Sequence, residues 1–241
     1  MFIIFVLPTK ITINNKFPNP NPFPRYLRSM ERLLRFREQV PAHVTLVAVS
    51  KTRPLRDLVE AYEAGQRDFG ENRVQELLEK APGLPPDARM HHIGHLQTNK
   101  VKALLPAVFL IHGIDSERLL AEVSRRAEER GQPADVLLQV HIAQEEQKWG
   151  WEAAELEEAW AGGLGQRYPG VRVRGLMGMA TFTEDRAQIR REFRGLRELH
   201  DRIRAAGGGE VLSMGMSGDW DIAVEEGSTM IRVGSAIFGG R

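Results

Sequence analysis

The chain has 241 residues, with 33 Lys and Arg against 32 Asp and Glu, so no net basic field calls for nucleic acid. It has no cysteine, which excludes disulfides, thiolate nucleophiles and Cys-ligated metals and agrees with a reducing, cytoplasmic setting. No apolar run approaches the roughly 20 residues of a membrane span, so a membrane is not an expected partner either.

Residues 1–23 differ in character from the rest of the chain. Residues 2–7 are apolar, but Pro8 ends the run and no basic residue precedes it. A signal peptide needs an apolar core of about 7–15 residues behind a basic start. Pro18, Pro20, Pro22 and Pro24 deny both helix and central strand. Residues 1–23 are therefore expected to be a disordered extension, and residues 24–241 the folded unit.

A helix is predicted from about Pro24, with Leu27, Met30, Leu33 and Leu34 toward one face. The run at 45–50 is apolar and β-branched, the composition of a strand buried on both faces. Pro54 suits the first turn of the next helix, where Leu55, Leu58, Val59 and Tyr62 recur at i, i+3, i+4 and i+7 before Gly65. A short strand near 67–70 precedes a helix carrying Val74, Leu77, Leu78 and Ala81 and closed by Pro82. Further strands are predicted at 90–93, 108–112, 135–142, 171–177, 211–214 and 229–233. The helices between them are marked by Val101, Leu104 and Leu105, by the span 116–130, and by Ile189, Phe193, Leu196 and Ile203.

Eight strands alternating with helices predict a single (β/α)8 barrel of TIM type with no second domain. The chain stops three residues after Phe238, so no helix is expected after the last strand. The helix before the first strand is expected to fill that gap in the outer ring. A doubly wound open sheet is the runner-up, but residues 50–54 lack the Gly-rich first turn of that fold.

Lys51 ends the first strand. Its stem could pack while its head reaches water, or it could be held in a cleft to form an imine with a carbonyl ligand. Barrel ligands bind where strands end, and phosphates favour the loops after strands 7 and 8. Those loops read MGMSGD (214–219) and RVGSAIFGG (232–240), both offering glycines and a serine. Arg232 lies inside an apolar strand and needs an acceptor there. A lysine for the imine, a phosphate cup and an arginine for the pyridine nitrogen together describe a pyridoxal phosphate site.

The segments LVAVSKTRP (46–54), FGENRVQ (69–75), HIGHLQTNK (92–100), GLMGMA (175–180), LSMGMSGD (212–219) and GSTMIRVGSAIFG (227–239) resemble the pyridoxal phosphate homeostasis proteins, relatives of the alanine racemase barrel domain. They span nearly all of the barrel in order. The resemblance implies that Lys51 binds pyridoxal 5'-phosphate as an internal imine and that Ser217, Gly234 and Ser235 form the phosphate cup. It further implies that Arg232 meets the pyridine nitrogen and that Asn72 lies near the ring. Lys148 matches a second lysine implicated in handling the cofactor, and His95 stands where the family usually has proline.

An arginine cannot take the pyridine proton, so it keeps the cofactor a weak electron sink. Related racemases also need a second base from another domain, for which no sequence remains here. His91 and His92 point to opposite faces of a strand and, with His95, lack an obvious carboxylate partner, so a metal is not expected. Met177, Met179, Met214 and Met216 read as packing, and Glu152, Glu155, Glu157 and Glu158 as a solvated helix face. Trp149, Trp151 and Trp160 either cover a ligand or pack that helix on the barrel.

The expected function is a carrier that buffers or delivers pyridoxal phosphate to apoenzymes without turnover, acting as a monomer rather than a dimer. A small amino-acid racemase is the alternative, and a sugar-phosphate barrel enzyme with a substrate imine a third.

Overall fold

The computed structural model describes residues 25–145 and 149–239, so the extension expected at 1–23 and Lys148 lie outside it. The chain alternates as predicted. Helix α1 (Arg25–Arg37) leads into β1 (Thr45–Val49), α2 (Leu55–Glu63), β2 (Asp68–Glu71), α3 (Val74–Lys80) and β3 (Arg89–His92). A short α4 (Val101–Leu104), β4 (Leu110–Ile114), α5 (Glu117–Arg130), β5 (Ala134–Val140), α6 (Ala153–Ala161) and α7 (Leu164–Arg167) come next. The chain then gives β6 (Val171–Gly178), α8 (Arg186–Ala205), β7 (Val211–Ser213), α9 (Trp220–Glu225), β8 (Met230–Val233) and α10 (Ser235–Phe238). All neighbouring strands pair in parallel, and β8 returns to β1, closing the barrel.

Strand alternation sorts the side chains into two cores. Val47, Leu110, Leu137, Met177 and Met230 meet inside the barrel. Their neighbours Leu46, Ala48, Phe69, Ile111, Leu138, Leu176, Leu212 and Ile231 belong to the larger core shared with the helices. Each fully buried side chain of this size contributes about 1.5–3 kcal/mol, so the outer core dominates stability. Local signals set the ends. The Ser116 hydroxyl accepts the Leu119 N–H at the start of α5, and Gly131, at φ 72°, ends it in the left-handed region.

Four expectations need correction. Strand β4 starts two residues later than its apolar run, because the ladder opens only where the Phe109 N–H reaches the Met90 carbonyl. On α1, Leu34 is 46% exposed, and Phe36 beside Leu33 takes the inner face instead. A one-turn helix, α10, does follow β8, with the Gly234 carbonyl accepting from Ile237 and Phe238. Trp151 is not on α6: it bridges to Val140 and donates its indole N–H to the Ile114 carbonyl at 3.1 Å, while Trp160 is buried on that helix.

α1 does fill the outer ring, its Phe36 ring meeting Trp220 of α9 at 5.0 Å. Among the described residues, no helix is long and apolar enough to cross a membrane.

Candidate functional site

The inward row of β1 runs Thr45, Val47, Val49 and, continuing past the strand, Lys51. Val49 pairs with Gly70 of β2, so two residues further along each chain Lys51 and Asn72 stand at the same height. On the other side Ala48 pairs with Val233, which brings Gly234 beside Val49. Lys51, Asn72 and the β8 loop thus meet at the C-terminal mouth because of register. Lys51 is exposed and makes no hydrogen bond or ion pair among the described residues. Arg53 fastens the turn after it, donating to the Gly239 carbonyl and lying 5.8 Å over the Phe238 ring.

The two glycine loops come together. The Gly234 N–H donates to Ser217 Oγ at 3.3 Å. That hydroxyl therefore keeps its own proton free to donate. The N–H groups of Ser217, Gly218, Ser235 and Ala236 are not engaged among the described residues. Asp219 shapes the β7 loop, its carboxylate accepting the Met216 N–H at 2.5 Å. A hydroxyl and several unengaged N–H groups thus lie together on two adjoining loops, a donor set of the kind that suits a phosphate dianion. Ser217, Gly234 and Ser235, picked out in the sequence, all belong to it.

Arg232 finds the acceptors its burial demands. It is 3% exposed and donates to Ser213 O at 2.9 Å, Ser213 Oγ at 2.6 Å and Gly178 O at 3.1 Å. Those bonds use three of five guanidinium donors, leaving two for a ligand. Burial pushes its pKa down to about 10, so it stays a cation at neutral pH.

Below Arg232 a hydrogen-bonded chain crosses the barrel interior. Ser213 Oγ lies 3.3 Å from His112 Nδ1, His112 Nε2 lies 3.0 Å from His91 Nδ1, and His91 Nε2 lies 3.0 Å from Asp68. Arg232 can only donate and an ionised Asp68 only accept, so the two ends fix every proton between them. Ser213 donates to His112, His112 to His91 and His91 to Asp68, with both imidazoles neutral. Burial lowers the pKa of both histidines, which agrees with that assignment. Burial alone would raise Asp68, but hydrogen bonds from His91 and Arg89 outweigh it and hold the carboxyl ionised. The Ser213→Ala variant leaves His112 Nδ1 without its donor and removes one Arg232 acceptor. It is expected to lose about 2–3 kcal/mol in urea denaturation, and an unchanged midpoint would dissolve the chain.

The histidines thus differ from expectation. His91 and His92 do face opposite sides, but His91 has a carboxylate partner in Asp68 and His95 has one in Asp115 at 3.0 Å. His95 also stacks on Trp149 at 4.3 Å, a contact that a proline there would not make in the same way. Trp149, next to Lys148, is anchored where its carbonyl accepts from Gln139 Nε2 at 2.7 Å. Gly94 lets this loop pass close to β2, since a Cβ there would sit 2.4 Å from the Asn72 carbonyl. Met177 is buried in the barrel and Met214 in the outer core.

Ser213, His112 and Gln139 escaped the sequence reading. Their signal was a polar residue on the inward row of a strand otherwise apolar, and it is visible only once strand register is known.

The sequence profile of the alanine racemase N-terminal domain matches residues 29–241. The pyridoxal phosphate homeostasis protein of Aquifex aeolicus is 42% identical over 81% of this chain and 86% of its own. Its human counterpart is 40% identical over 81% and 76%. The chain belongs to the pyridoxal phosphate homeostasis proteins. The structure of PipY from Synechococcus elongatus PCC7942 with PLP bound superposes at a TM-score of 0.80. It is 39% identical and is covered over its full length, against 88% of this chain. Alanine racemases such as that of E. faecalis share 15% identity at a TM-score of 0.71, which is a likeness of fold.

Proposed function

We propose that this chain binds pyridoxal 5'-phosphate and buffers or delivers it to apoenzymes, as a cytoplasmic carrier without turnover of its own. One observation carries the reading: a phosphate cradle and a neighbouring lysine, both unengaged among the described residues, in a chain 39% identical to a protein whose structure holds PLP. When bound, the cofactor supplies an aldehyde that condenses with amines and a ring that withdraws electrons.

The residues divide the work. The Ser217 hydroxyl and the N–H groups of Gly218, Ser235 and Ala236 hold the phosphate, and Asn72 borders the ring. Lys51 would supply the amine that condenses with the aldehyde, with release of water. Arg232, with two donors left, would meet the ring nitrogen. A guanidinium can only donate, so a pyridine nitrogen held by it would stay unprotonated and the ring a weak sink for carbanion charge. That arrangement favours holding the cofactor over turning substrates over. Lys148 is a further candidate for handling it.

Borohydride reduction after incubation with PLP, followed by peptide mapping, tests the assignment. The label is expected on Lys51 and is lost in Lys51→Ala, which stays folded because an exposed strand-end lysine adds little to the core. Label found mainly on Lys148 would overturn it. Amino acids incubated with the protein in heavy water are expected to show no Cα exchange above that with free PLP. Rapid exchange with inversion would replace the carrier reading by a racemase.

A further inference from the structure

Behind Lys51, on the helix side of the sheet, lies a cluster of charge that ligand binding does not use. Lys80, at the end of α3, is 8% exposed, and its Nζ donates to Ser50 O at 3.0 Å, Glu71 Oε1 at 2.7 Å and Glu76 Oε2 at 3.2 Å. Its three donors are all taken. Glu71 is fully buried, and its Oε1 also accepts the Ser50 hydroxyl at 2.6 Å. Glu76 Oε2 accepts the Thr52 N–H at 2.8 Å. One ammonium is therefore tied to both neighbours of Lys51: to Ser50 directly, and to Thr52 through Glu76.

The turn so held is a strained one. Thr52 sits at φ 63°, the only non-glycine residue in the left-handed region among those described. A β-branched residue there is strained and persists only where its surroundings over-determine it. A buried lysine with two carboxylates is a poor source of stability compared with apolar packing. What the cluster does achieve is to fix the backbone on either side of a single exposed amine.

We propose that Lys80 is a positioning residue: through Ser50 and Glu76 it holds the turn that presents the Lys51 amine to the pyridoxal phosphate aldehyde. This role rests on Lys51 being the amine that captures the cofactor. Lys80 touches neither the phosphate cradle nor Arg232, so its loss should separate covalent capture from non-covalent binding.

The test uses the full chain and two probes. PLP reports capture, by absorbance and by borohydride-fixed label on Lys51. Pyridoxamine 5'-phosphate, which has no aldehyde, reports the cradle alone. In Lys80→Met the rate of capture is expected to fall at least about tenfold, the worth of one hydrogen bond to a charged group, and Lys80→Arg to restore part of it. Affinity for pyridoxamine 5'-phosphate should change less than about twofold in both, well under one such bond. Where Lys80→Met does not fold, Glu76→Ala decides, because the Thr52 N–H it releases is near water; capture should again slow while the cradle is unaffected. Capture at the unaltered rate in a folded variant, or equal losses for both probes, would overturn the positioning role. No label on Lys51 in the unaltered protein would instead remove the reading of Lys51 itself.

Discussion

Replacing Gly234 by valine is expected to weaken PLP binding by at least about a hundredfold, more than Lys51→Arg does. A hydrogen bond to a charged group is worth about 1.5–3 kcal/mol, and the loss of two such bonds gives that factor. The phosphate carries nearly two charges at neutral pH and can engage several donors of the two loops together. A Cβ at position 234 would already sit 3.0 Å from the Val49 carbonyl and 3.2 Å from Val49 Cβ. The larger valine therefore has no room toward β1 and must push the loop across the cradle. The bond to Lys51, by contrast, exchanges with any competing amine and adds less to the equilibrium. Titration of both variants with PLP and with pyridoxal checks the ranking. Equal affinity of the unaltered protein for pyridoxal and its phosphate ester would show that the loops are only turns.

The largest effect on stability is expected at His92. Its ring is fully buried on the helix side of β3, and neither ring nitrogen has a hydrogen-bond partner among the described residues. Burial, with a smaller contribution from His95, lowers its pKa to about 4. An unfolded histidine titrates near 6.5, so between about pH 6.5 and 4 the unfolded chain binds a proton that the folded chain refuses. Stability is therefore complete above that window and falls as the pH drops through it. By about pH 5 the loss reaches roughly 2 kcal/mol from this residue alone. His92→Phe fills the same space without the two unpaired nitrogens. The variant is expected to be more stable at neutral pH by about 1–3 kcal/mol, with the gap wider by about 2 kcal/mol near pH 5. His91 and His112 are common to both proteins and cancel. Urea denaturation at the two pH values measures the gap, and one that does not change with pH would place the protonation elsewhere.

Lys51, Ser217, Gly234, Ser235 and Arg232 are candidates that the sequence marks by local signals. An ammonium at the end of an apolar strand, glycines in the two loops where barrels hold phosphate, and a guanidinium inside a buried strand all ask for a ligand or a partner. Lys80 gave no such signal. At the end of a helix that also carries Glu76 and Glu79 it reads as solvated, and only the packing of α3 on the ends of β1 and β2 buries it. His112 and Ser213 were hidden for a related reason, since their partners lie far off in the sequence.

The amino-acid sequence by itself determined the alternation of strands and helices, the place of Lys51 at the end of an apolar strand and that of Arg232 within one. Periodicity and glycine placement are local, and each can be read from neighbours along the chain. Strand register and helix docking decided the rest. Register turned five separated polar residues into one directed hydrogen-bond chain, and it brought Ser217 against Gly234. Docking set a charged network behind the turn that carries Lys51. These are contacts between residues brought together only when the barrel closes, and their strength comes from the low dielectric that closure creates.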